Sequence, residues 1–264
     1  MPSDESAALT YASYLALDDV LGAQRPRSGE HDELLFIVIH QVYELWFKQL
    51  LHEFAHLQRR LEAGDGSRAL GTLKRVLTIL KTVVSQIDVL ETMTPRQFTS
   101  FRDRLDAASG FQSAQFRELE AVLGGRDPGA VDRYPAESSA RERIAAAMAR
   151  SSLLDSFLRY LATEGYSVPR AALERDVAQP AEASEAVQEV LLVVYRDDGQ
   201  PAQVCERLVD VDEGLQEWRY RHVKMVERTI GDKAGTGGSS GAAYLRTTLF
   251  QAAFPDLWAV RRRL

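Results

Sequence analysis

The sequence predicts an all-α protein built around a few long rods, on three observations. Apolar residues recur at three- and four-residue spacing along nearly the whole chain, and alternating runs long enough to make a strand are scarce. The stretch from Asp32 to about Glu62 holds that helical spacing without a glycine or proline break. About 30 residues at 1.5 Å each give a rod of roughly 45 Å, which must pack against rods of similar length to bury its apolar face.

Taken in order, Ser6 to Ala23 reads as a first helix, stopped by Gly22, Pro26 and the polar stretch RPRSGEHDE. Asp32 is the expected N-cap of the long rod. Gly64 to Ser67 is a turn, Arg68 to Glu91 a second long helix that forms an antiparallel hairpin with the first, and Thr94-Pro95 the cap and first position of a third. After Ser109-Gly110 a helix runs from Phe111 to Leu123, and GGRDPGAVDRYP (124–135) is a breaker-rich loop. Helical pieces at about 138–149, 152–164 and 182–195, separated by Pro169 and Pro180, suggest a small helical subdomain over about 124–201 within a single 264-residue domain. A last long helix spans about Ala202 to Ile230 and stops at Gly231. The low-complexity GTGGSSG (235–241) follows, and a short amphipathic piece ends in an arginine-rich, solvated tail.

The balance of 32 Lys+Arg against 38 Asp+Glu gives a net charge of -6, which argues against a broad nucleic-acid footprint. One cysteine, Cys205, excludes an intramolecular disulfide or a cysteine-ligated zinc site. No run approaches the roughly 18 consecutive apolar residues of a membrane span, and the start lacks the order of a secretory signal, so the expected location is the cytoplasm.

Five histidines allow metal and acid/base proposals to be taken one by one. HEFAH sets His52 and His56 at i and i+4 with Glu53 beside them, the pattern of zinc peptidases. It lacks a visible third ligand, which favours two partly exposed helix residues over a zinc site. His40 shares a stripe with Phe36, Tyr43 and Phe47, which fits either a hydrogen-bonded core histidine or an aromatic-lined pocket. His222, closing WRYRH, is either a surface residue or a single axial ligand of a heme iron. Arg102 in FTSFRDRL is a salt-bridge partner or a bidentate anchor for a substrate carboxylate. GTGGSSG lacks the spacing of a phosphate loop and reads as a linker or a lid.

Five stretches together resemble the heme-dependent tryptophan 2,3-dioxygenase family: LTYASYLALDDVLGAQ, HDELLFIVIHQVYELWFKQLLHE, VLETMTPRQFTSFRDRLDAASGFQSAQFRELE, LVDVDEGLQEWRYRHVKMVERTIG and KAGTGGSSGAAYLRTTL. They stand in the family's order and cover the chain apart from its middle third. The resemblance implies heme b, with His222 as the iron's axial ligand, O2 as co-substrate, and cleavage of the indole C2–C3 bond of L-tryptophan to N-formyl-L-kynurenine. It further implies His40 as acceptor for the indole N–H, Phe36 and Phe98 as pocket walls, Arg102 on the substrate carboxylate, Thr236 on its ammonium and carboxylate, and Ser109 and Gly110 beside the heme. Tyr11, Tyr14 and Leu15, within an N-terminal helix over 1–25, are implied to reach a neighbour's site in a homotetramer of paired dimers, with neither nucleic acid nor membrane as partner. The chain departs from its relatives in lacking a proline ahead of Ala108-Ser109-Gly110 and in carrying Asp232 and Ala234 before the glycine loop.

Two other enzyme readings and one binding reading stand beside it. A same-family oxygenase could act on a substituted tryptophan such as a β-methyl derivative, inserting one oxygen atom to give an oxindole. The HEFAH motif offers a zinc peptidase. A helical protein that holds heme for sensing would have no use for Arg102 and the glycine loop.

Overall fold

The computed structural model describes residues 8–106, 108, 110–231, 233 and 241–264, apart from the Pro128 side chain. Among these residues the structure is all-helical, with no strand. The chain opens with α1 (Tyr11–Tyr14) and α2 (Leu17–Leu21), where the sequence led us to expect one helix over 6–23. Ala16 between them takes a left-handed conformation, φ +49°. Leu9, Tyr11, Tyr14 and Leu21 are all more than 70% exposed, so no tertiary packing supports a longer helix here.

The rod α3 (His31–Glu62) starts one residue ahead of the expected Asp32 cap, with Glu30 in the N-cap position. Asp32 and Glu33 occupy its first turn, where carboxylates complement the positive helix end. Glu33 is buried and accepts hydrogen bonds from the Arg27 and Ser28 backbone amides, both at 2.7 Å, which folds the incoming chain onto the helix start. After a three-residue turn containing Gly64 at φ +68°, Asp65 caps α4 (Gly66–Leu90) by accepting from the Arg68 amide at 3.1 Å. Gly66 has no room for a side chain, because a Cβ would strike the side-chain Oε1 of Gln200 and the Tyr160 hydroxyl. Gly66→Ala should therefore lower stability by about 1–3 kcal/mol. Thermal unfolding checks this, and an unchanged or higher Tm would contradict it.

Thr94 and Gln97 form the reciprocal cap of α5 (Pro95–Arg102), with Pro95 in the first turn as expected. A 3-10 turn (Gly110–Gln112) leads into α6 (Ala114–Val122), capped by Ser113. The breaker-rich 124–135 segment contains a helix, α7 (Pro128–Asp132), started by Asp127 and Pro128. Then come α8 (Ser139–Met148), α9 (Leu153–Thr163), α10 (Arg170–Leu173) and α11 (Glu185–Asp197). The second rod, α12 (Gln200–Ile230), ends at Gly231 with φ +61°, and α13 (Ala242–Thr247), α14 (Pro255–Ala259) and a 3-10 turn (Val260–Arg263) close the chain.

The three long helices form the frame: α12 and α3 both pack along α4, and α3 also meets α5, α6 and α9. One buried cluster runs through Leu57 and Leu61 of α3, Leu73 and Val76 of α4, Phe157 of α9, Leu191 of α11, Leu208 of α12, and Phe254. Each such side chain stabilises the fold by roughly 1.5–3 kcal/mol relative to exposure. Asp212 on α12, fully buried, draws in the chain end by accepting from the amides of Ala253 at 2.9 Å and Phe254 at 3.2 Å and from Trp258 Nε1 at 2.9 Å. The terminal arginines are not a loose tail: Arg261 pairs with Glu206 at 2.7 Å and Arg263 with Glu189 at 2.5 Å, and Val260 is fully buried. Cys205 is also fully buried in this core, and burial pushes its thiol pKa well up. By length and composition α3 alone among the described helices is apolar enough to cross a membrane, with mean hydropathy 1.2 over 18 residues.

Candidate active site

A second buried cluster of Ile39, Leu90, Met93 and Phe101 lies where α3, the end of α4 and α5 meet. Beside it opens a cavity of about 210 Å3 whose walls come from α3, α4, α5, the Gly110 turn, α6, α12 and α13. Phe36, His40, Phe98, Arg102, Gly110 and His222 all line it. The structure thus gathers six of the predicted site residues, drawn from positions far apart in the chain.

Helical spacing places Phe36 and His40 one turn apart, with ring centroids 4.1 Å apart. Phe36 also meets Phe98 at 5.7 Å and Phe101 at 5.8 Å, so the imidazole borders an aromatic wall. His40 Nδ1 lies 2.7 Å from the Phe36 carbonyl oxygen. A carbonyl only accepts, so Nδ1 carries the proton and Nε2 of the neutral ring keeps a lone pair. Burial lowers the His40 pKa, against the Phe36 carbonyl and Glu44, which raise it. Gly110 sits by that ring edge: a Cβ there would stand 3.9 Å from Nε2. Arg102 reaches the cavity from the last turn of α5, where a cation suits the helix end.

On α12, His222 stacks with Trp218 one turn earlier, ring centroids 5.0 Å apart at 25°. Its pKa is pushed down to about 4 by burial first, then by His40 and Arg117. It therefore presents a neutral imidazole. A polar wall missed in the sequence completes the cavity. Arg117 pairs with Glu120 at 2.5 Å, Arg219 reaches the same carboxylate at 3.4 Å, and the Nε–H groups of both arginines are buried without a hydrogen-bond partner among the described residues. In sequence Arg117 and Glu120 look like an ordinary surface pair at i,i+3 spacing; the missed signal was the aromatic residues flanking each arginine, Phe116 and Trp218.

Ser109 and Thr236 lie outside the described residues. Tyr11, Tyr14 and Leu15 line no part of this cavity and are exposed. The HEFAH residues stand elsewhere. Glu53 is buried, accepts from Gln49 at 2.7 Å and pairs with Arg75 at 3.2 Å, while His56 Nε2 accepts from Arg60 at 3.3 Å. Among the described residues no group of three or more His, Cys, Asp or Glu could hold a metal ion.

The sequence model of a family described as Tryptophan 2,3-dioxygenase matches residues 2–164 and 132–264. The chain belongs to the tryptophan 2,3-dioxygenase family. It is 72% identical over 263 residues to the tryptophan 2,3-dioxygenase of Anaeromyxobacter sp. (strain K), covering 100% of this chain and 99% of that one. It is 58% identical to the enzyme of that name from Herpetosiphon aurantiacus, covering 98% of this chain and 100% of the relative. For Bacillus thuringiensis subsp. konkukian the identity is 42%, over 99% of this chain and 95% of the relative.

Tryptophan 2,3-dioxygenases are heme-dependent oxidoreductases, and the cavity suits that cofactor. The neutral imidazole of His222 has no hydrogen-bond partner among the described residues, so the lone pair of its unprotonated nitrogen is uncommitted. The Nε–H donors of Arg117 and Arg219, unpaired among the described residues, provide capacity for acidic side groups.

Proposed function

We propose that the protein is a heme b enzyme that adds both atoms of O2 across the indole C2–C3 bond of L-tryptophan, giving N-formyl-L-kynurenine. One observation carries this reading: a single cavity brings together two neutral imidazoles of different hydrogen-bonding state, an aromatic wall and an arginine. His222 would hold the iron, and Arg117 and Arg219 the acidic edge of the macrocycle. Heme, when bound, supplies the redox centre at which O2 reacts.

The residues of the chain bind and orient the amino acid. The indole ring packs against Phe36 and Phe98 and donates its N–H to His40 Nε2. The Phe36 carbonyl, by holding the proton on Nδ1, keeps that acceptor in place. Arg102 holds the carboxylate, and shielding from water strengthens such a pair well beyond a surface ion pair. Thr236 would contact the ammonium and carboxylate groups, and Ser109 and Gly110 the cofactor side. Met93, Leu90 and the aromatic rings keep water from the reacting edge.

The whole chain is read as one domain, with a small helical subdomain over about 124–201 and a cytoplasmic location. The exposed Tyr11, Tyr14 and Leu15, with Leu34, Val38 and Leu45 exposed on α3, support an N-terminal segment over 1–25 that reaches a neighbouring subunit in a homotetramer.

The test is turnover of L-tryptophan by the heme-loaded, anaerobically reduced protein mixed with 18O2-saturated buffer. The expected product is N-formyl-L-kynurenine carrying two labelled atoms. An oxindole with one labelled atom, or turnover of β-methyltryptophan alone, would replace this reading with monooxygenation of a substituted tryptophan.

A further inference from the structure

The middle of the chain touches the cavity from behind. Phe111, in the 3-10 turn, and Tyr244, on α13, both line the cavity and meet edge to face, ring centroids 5.1 Å apart at 90°. This contact closes the wall between two segments that are otherwise remote in sequence. Arg133, just past the end of α7, does not line the cavity, yet its guanidinium carbon lies 4.8 Å from the Phe111 ring centroid and 5.6 Å from that of Tyr244. Asp127 holds that guanidinium at 3.3 Å while also capping α7 by accepting from the Gly129 amide at 3.0 Å. The next residue addresses the same turn, since the Tyr134 hydroxyl donates to the Gln112 carbonyl at 3.1 Å. On its other side α13 is tied to α12 by Arg246 and Glu227 at 2.7 Å.

We propose that Arg133 is a positioning residue that latches α13 to the Gly110–Gln112 turn through the Phe111 and Tyr244 rings, and so sets the width of the substrate cavity. The segment after α7 thereby acts on substrate binding without touching substrate. A guanidinium against two aromatic faces makes a good latch, because the attraction needs no fixed hydrogen-bond geometry and survives partial exposure. Asp127 keeps the cation at its post, so the α7 cap and the cavity wall depend on one carboxylate.

The proposal rests on the tryptophan-binding reading of the cavity, and its test separates the two. In Arg133→Met, which keeps the aliphatic stem, the apparent KM for L-tryptophan should rise about 3- to 10-fold, the effect of losing one or two such contacts. The kcat should stay within about two-fold and heme content should be unchanged. Arg133→Lys, which keeps a cation, should recover part of the loss. Hydrogen exchange on the cofactor-free protein gives a readout independent of turnover: amides of Gly110–Gln112 and Ala242–Thr247 should exchange faster in Arg133→Met, while those of α3 and α12 keep wild-type rates. Unchanged exchange in both segments, or acceleration spread equally over α3 and α12, overturns the latch. A wild-type protein that fails to turn over tryptophan overturns the reading of the site instead, and the exchange pattern then decides the latch alone.

Discussion

Replacing His222 by alanine should empty the protein of heme and abolish tryptophan turnover while leaving the fold intact. The fold survives because the imidazole makes no hydrogen bond among the described residues and lines a cavity, so its removal orphans no buried partner. The cofactor is lost because no other described residue on the α12 face of the cavity offers an imidazole: Trp218, Arg219 and Val226 do not ligate iron, and Met225 offers only a neutral thioether. Heme absorbance per chain after reconstitution is the measurement, and heme retained at one per chain would sink the assignment. Free imidazole added to the variant should restore part of the binding.

The same residue sets an acid limit. In the unfolded chain the imidazole takes a proton near pH 6.5, in the folded protein only near pH 4. Above about pH 6.5 both states are neutral and the group has no effect on stability. As the pH falls through the window between those values, the unfolded chain gains the proton first, and the cofactor-free protein loses at most roughly 3 kcal/mol. Urea unfolding of His222→Ala should lack that part of the pH dependence.

Arg102→Met should lower kcat/KM for L-tryptophan by about 10²-fold, the worth of a shielded, charge-assisted pair of roughly 3 kcal/mol. Methionine fills much of the volume of the arginine stem, so the wall it shares with Phe98 and Leu105 is kept and the effect reports the charge. Tryptamine provides the control, since it has the indole and the ammonium but no carboxylate. Wild type and variant should handle it alike, and an equal 10²-fold penalty on tryptamine would show that Arg102 acts on the cavity shape rather than on the carboxylate. Arg102→Lys should fall between them, because an ammonium matches a carboxylate as a point charge without the two-pronged geometry.

The rods and their ends were legible where one local signal dominated. The run from Asp32 to Glu62 had no breaker, Thr94 and Gln97 spelled a reciprocal cap, and Gly231 supplied the left-handed residue on which α12 stops. The break at Ala16 carried no such signal, as alanine favours helix and only missing tertiary support explains the bend. Helix α7 was misjudged because Gly124, Gly125 and Pro128 outweighed the Asp127-Pro128 start they contain. In the cavity, residues one helical turn apart, such as Phe36 and His40, were visible as a stripe, whereas Arg117, Glu120 and Arg219 converge only through tertiary packing. Arg133 is the extreme case: its neighbours Phe111 and Tyr244 lie 22 and 111 residues away.

Cys205, the sole thiol, lies at 0% exposure in the core with its ionisation suppressed. Thiolate is the nucleophile in alkylation and oxidation, so the folded protein should be silent toward maleimide reagents. Any cysteine placed on the surface is then the single reactive handle of its chain. A spin label at Leu21, or a fluorophore at Val89, would test the proposed homotetramer by distance measurement without first removing a native cysteine.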